Sequence, residues 1–181
     1  MSARQGISFL FLAAIHLVFI AVFFLDDSTS FGVKSVILSS AILLIFGYFR
    51  APKSEARHSK IETLAFPFVI AAAGVLTYYF ITDLAVGPVV ASAGIGFIAS
   101  YFPNIFKSDF LKSLPDPIYC GTFVGMCGSF LTEDYFFISY AGLAAGVIYI
   151  LTRDALNGVG GKLGTIAFGG VVIVSFIFGL L

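Results

Sequence analysis

The chain has 181 residues, 59% of them hydrophobic and 11% charged, with a formal net charge of zero. Soluble domains carry about 25% charged residues, so with a mean hydropathy of +1.04 this chain cannot cover itself with a wetted surface. The even charge argues against a basic face for nucleic acid, and two cysteines without a wider framework leave the redox compartment open.

A membrane-crossing helix needs about 20 apolar residues, with a range of roughly 17 to 25. The first such run is Ile7–Leu25. A signal-peptide core is shorter, about 7–15 residues, and ends at a small-x-small cleavage site. None precedes Asp26, so this run counts as the first span. The others are Val33–Phe49, Thr63–Ile81, Leu84–Phe102, Pro117–Leu131, Tyr135–Leu151 and Thr165–Leu181. The expected fold is all-α: a polytopic integral membrane protein, a bundle of about seven transmembrane helices with short loops, forming one domain over residues 1–181.

The charges alternate between connectors. Asp26, Asp27, Asp83, Glu133 and Asp134 fall on one side. Arg4, Arg50, Lys53, Arg57, Lys60, Lys107, Lys112, Arg153 and Lys162 fall on the other, and Lys34 breaks the pattern. Positive residues favour the cytoplasmic side, which places the N-terminus in the cytoplasm and the C-terminus outside, in a membrane of the bacterial inner (plasma) type. Tyr48, Tyr101, Tyr119 and Tyr149 fall near the basic ends and Tyr78, Tyr79 and Tyr135 near the acidic ends, the interfacial depth tyrosine prefers.

Ala51–Glu62 reads as a polar loop. In Pro103–Leu114, Ile105, Phe106, Phe110, Leu111 and Leu114 recur at helical spacing opposite Lys107, Asp109 and Lys112, which predicts a short interfacial helix. The turns FFLDD, YFITD and SFLTED, each opening a descending helix, hint at three repeated hairpins.

The fifth run departs from the others because it combines Gly121, Gly125 and Gly128 with Cys120, Thr122, Cys127 and Ser129. At about 15 residues it would cover only about 23 Å as a helix. Gly121–Gly125 and Gly142–Gly146 are GxxxG pairs, whose small residues share a face and permit close helix crossing. The plain reading is packing. The sharper one is a solute pathway beside the fifth run, with Cys120, Gly121, Thr122, Gly125, Cys127 and Ser129 as its candidate lining and Gly121, Thr122, Gly125 and Ser129 toward one side of the helix. GTFVGM does not match the TVGYG filter of potassium channels.

Cys120 and Cys127 stand about 10 Å apart on a helix, beyond the reach of a disulfide, and read first as apolar filler. His16 falls in the middle of the first run, where an ionisable group is a functional hypothesis by default; no second ionisable residue shares its depth. In Arg153–Gly164 a phosphate-loop motif fails twice, at Leu156 and Leu163, leaving Lys162 as a candidate for an anion or lipid headgroup. No catalytic, metal or cofactor constellation is legible.

Three roles follow. The first is a small channel or carrier for an ion or small-molecule solute, surrounded by membrane lipid and built as a homo-oligomer. The second is a non-transporting subunit or assembly factor whose GxxxG faces grip partner helices. The third is an intramembrane enzyme acting on lipid or thiol.

Overall fold

The computed structural model describes residues 60–131, 134–152 and 161–179, together with 14, 15, 17, 18, 20, 21, 30–32, 34–36, 38, 39 and 42; side chains at 60–63 and 128–131 lie outside that description. All regular structure among the described residues is helical. The continuous helices are α1 (Lys60–Thr82), α2 (Pro88–Ser100), α3 (Phe102–Ile105), α4 (Asp109–Lys112), α5 (Pro115–Leu131), α6 (Tyr135–Thr152) and α7 (Lys162–Phe178). Leu64–Thr82, Pro88–Ile105 and Tyr135–Thr152 are long and apolar enough to cross a membrane. The first two expected segments are helical at every described position between 14 and 42 except Ser30.

The expected third, fifth and sixth segments coincide with α1, α5 and α6 to within a few residues. The fourth starts later than Leu84. The chain leaving α1 turns through backbone bonds from Asp83 N to Tyr79 O (2.9 Å) and from Val86 N to Phe80 O (2.9 Å). Ala85 takes φ +52° there, and Pro88 then opens α2 at N1, where its missing N–H costs no helix bond. The seventh begins early, at Lys162, and ends at Phe178, where left-handed Gly179 donates its N–H back to Phe176 O.

The expected interfacial helix is instead two single turns. Phe106 (φ −101°, ψ 140°) and Ser108 (ψ 129°) are extended and separate α3 from α4. The apolar stripe is thereby divided: Phe110, Leu111 and Leu114 pack on the core, while Ile105 and Phe106 remain exposed. Periodicity alone could not register this redirection of the backbone.

α1 occupies the centre of the described bundle, with its most extensive contacts to α5 and α6. α2 packs chiefly on α5 and only lightly on α1. Antiparallel α1 and α6 are joined at both ends by edge-on aromatic pairs, Phe66–Tyr149 at 5.6 Å and Tyr78–Tyr135 at 4.9 Å. Between those pairs the two helices meet through Gly142 and Gly146.

Candidate functional site

The candidate residues of α5 are distributed over three faces, each turned to a different helix. Gly121 and Gly125 face α1: a β-carbon at Gly121 would stand 2.3 Å from Ile70 O, and one at Gly125 would stand 2.3 Å from Gly74 O. Gly74 reciprocates, because a β-carbon there would lie 3.3 Å from Gly121 O. Both backbones therefore touch along this crossing, the geometry small residues allow.

Thr122 is rotated by one residue, about 100° on a helix, and faces α2. Its Oγ1 accepts a hydrogen bond from Ser92 Oγ at 2.9 Å and donates to Tyr119 O at 2.8 Å. Both hydroxyl side chains are buried. One turn earlier, the Tyr119 ring lies against Gly96, where a β-carbon would come within 2.5 Å of it. Thr122 thus does not share the glycine face, contrary to the spacing argument.

Cys120 is buried against α7, and its thiol donates to Leu163 O at 3.5 Å. This ties Cys120 to the first turn of α7, the helix that Lys162 opens 42 residues further along the chain. Cys127 is partly buried and packs on the core. Both cysteines are free thiols. His16 and the Ser129 side chain lie outside the described residues.

Two features escaped the sequence reading. One is the surface that receives the glycines: Pro67, Ile70, Ala71, Ala73, Gly74 and Thr77 of α1. The run Ala71–Ala72–Ala73–Gly74 was the available signal, because four small residues in an otherwise bulky span invite close approach. The other lies at the acidic end. Tyr135 Oη donates to Asp83 Oδ2, which also accepts from Thr82 Oγ1 at 2.8 Å. These two bonds, Tyr135 foremost, hold the Asp83 carboxyl below its ordinary range. Beside it, Asp134 Oδ1 accepts from Phe136 N at 2.8 Å and caps α6.

Comparison of the chain with protein families, with characterised proteins and with solved structures finds no match in any of the three.

Proposed function

We propose that this chain is a polytopic integral membrane protein crossing the bilayer about seven times, with its basic connectors in the cytoplasm of a bacterial-type inner membrane. One observation carries the reading. Large apolar side chains point outward, among them Phe68 (70% exposed), Val89 (73%) and Phe136 (71%), while Thr77, Ser92, Thr122 and Thr152 are buried. That inverts the arrangement expected against water. It suits lipid, where small polar groups are sheltered between helices. Thr77 and Thr152 bond the carbonyl four residues back, at 2.8 and 2.7 Å, so neither of these two hydroxyls is desolvated unpaired, whereas buried Ser175 Oγ has no hydrogen-bond partner among the described residues.

Within the membrane we propose a non-transporting subunit. The face expected to line a pathway, Gly121 and Gly125, is in backbone contact with α1, which supports a packing role for it. A small channel or carrier, assembled as a homo-oligomer, is the second reading; the Ser92–Thr122 pair supports it, being a polar contact at a helix crossing that could part. Flux measured on purified protein in liposomes, over cations, anions and small neutral solutes, separates the two. No flux above empty vesicles is expected. Flux that Thr122→Val abolishes, in a variant that still folds, would establish the channel or carrier instead.

A further inference from the structure

Membrane helices are held together by packing contact rather than by expulsion from water, and by that measure α2 is weakly held. Its buried residues are small: Ala91, Ser92 and Ala99. Its large ones, Val89, Val90, Phe97 and Ile98, face outward, where lipid tails serve them as well as another helix would. We propose that α2 and α3 form an arm that swings at Gly87 and closes on α1 across an apolar cleft, with the Ser92–Thr122 hydrogen bond as the catch that keeps the cleft open. The proposal rests on the membrane reading above and goes beyond the subunit and transport readings alike.

The arm is bounded by hinges, which sit in loops or at element ends and absorb changes of φ and ψ. Val86 N bonds Phe80 O at 2.9 Å, so the connector as far as Val86 stays with α1. Gly87 follows, at φ −57° and ψ 139°, and nothing lies within 4 Å of a β-carbon there. At the other end, extended Phe106 and Ser108 separate the arm from α4. Between the hinges α2 and α3 move as one piece, because Asn104 N and Ile105 N bond Tyr101 O at 3.0 and 3.1 Å. The cleft lies along the second half of the arm, where Ile95, Ile98 and Phe102 stand across from Ala72, Ala73 and Leu76 of α1. The two alanines leave room for closure, and each contact so made gains dispersion energy. Phe102 already rests on the core, so closure extends an existing contact. What opposes closure is directional. Ser92 Oγ donates to Thr122 Oγ1 at 2.9 Å and fixes the side of α2 that faces α5. The two states are therefore bond made with the cleft open, and bond parted with the cleft packed.

α1 meets α6 through Pro67 and Ala71 and the cleft through Val69 and Ala73, about 200° apart around the helix. Nitroxide labels at Phe97→Cys on the arm and Val147→Cys on α6, both exposed positions, therefore flank α1, and their separation shortens as the cleft closes. Electron dipolar spectroscopy is run on the full chain in liposomes, with Cys120→Ala and Cys127→Ala removing the native thiols. This pair should give two distances. A reference pair off the arm, Phe68→Cys with Phe176→Cys, should give one. Thr122→Val should raise the ratio of short to long distance about threefold, the worth of one hydrogen bond between membrane helices. Ser92→Ala should do the same, and it serves alone if Thr122→Val does not fold. A single distance for the Phe97–Val147 pair in all three backgrounds overturns the proposal. So do two distances whose ratio neither variant moves, because the bond is then no catch. A second distance in the reference pair also overturns it, since the whole bundle then loosens rather than the arm. If the protein does not float with the liposomes, the membrane reading itself fails and the arm with it.

Discussion

Gly146 of α6 lies directly on Pro67 of α1: a β-carbon at 146 would stand 2.2 Å from Pro67 Cα and 2.6 Å from its Cβ. Proline inside a helix removes one backbone donor and is tolerated where neighbouring helices compensate. Here α6 presents no side chain at the proline, so the ring is accommodated at the crossing. Gly146→Ala should therefore lower stability in detergent by about 1–3 kcal/mol, the usual cost of overpacking. Gly94→Ala is the control. Nothing lies within 4 Å of a β-carbon at 94, so the change should be neutral or stabilising, by up to about 1 kcal/mol from helix propensity. Equal unfolding midpoints for the two variants would refute the contact.

A related consequence concerns Gly125. Because Gly74 O lies 2.3 Å from a β-carbon there, even alanine disturbs the α1–α5 crossing. The Ser92–Thr122 bond is the better probe of that region, since it can be removed without adding bulk. A double-mutant cycle with Ser92→Ala and Thr122→Val should give a coupling of about 0.6 kcal/mol, and at most about 1.7 kcal/mol, as for other hydrogen bonds between membrane helices. Additive single effects would mean that the two hydroxyls do not depend on each other.

The cysteines should differ in reactivity. Cys120 is buried with its thiol on Leu163 O, whereas Cys127 is only partly buried. In folded protein a maleimide should label Cys127 first, and Cys120 should react only after denaturation. Rapid labelling of Cys120 by a water-soluble thiol reagent, slowed by a solute, would favour a pathway along α5.

Asp83 links stability to acidity. Its carboxyl titrates below the ordinary value in the folded chain because Tyr135 and Thr82 donate to it. The contribution is complete at pH above the unfolded value of about 3.9 and is lost as pH falls through the lower folded value. Tyr135→Phe should flatten the acid limb of a thermal-stability profile below about pH 4 and change little near neutrality beyond a constant offset. The group is fully exposed, so the effect is small. An acid limb identical in the two proteins would remove the link.

Orientation has its own test. With basic connectors inside and about seven crossings, a reporter fused after Leu181 should be active outside the cytoplasm. A cytoplasmic signal would mean that one segment does not cross, with Pro115–Leu131 the first to re-examine.

The apolar runs revealed α1, α5 and α6 because each is bounded by charge or proline and has no competing period. The limits of α2 were less legible: Ala85 adopts a left-handed conformation that alanine does not advertise, and the helix starts only at Pro88. The division of Pro103–Leu114 was hidden because α3 and α4 keep the amphipathic order of residues while the backbone between them turns. At the candidate site, Gly121 and Gly125 announced a close crossing, but spacing within one helix says nothing of which helix approaches. That partner had to be read from Ala71–Gly74, and the separation of Thr122 from the glycines depended on where α2 lies.

The central place of α1 has a consequence for biosynthesis. The surfaces it fits, the glycines of α5 and α6, lie far downstream in the chain, and its contact with the adjacent α2 is slight. A nascent chain carrying α1 and α2 thus has neither glycine-bearing partner until the ribosome has added another thirty residues or more. A ribosome stalled between α4 and α5 would display a proline-bearing helix with a bare strip of small residues, a form suited to recognition by a quality-control protease or an insertion chaperone.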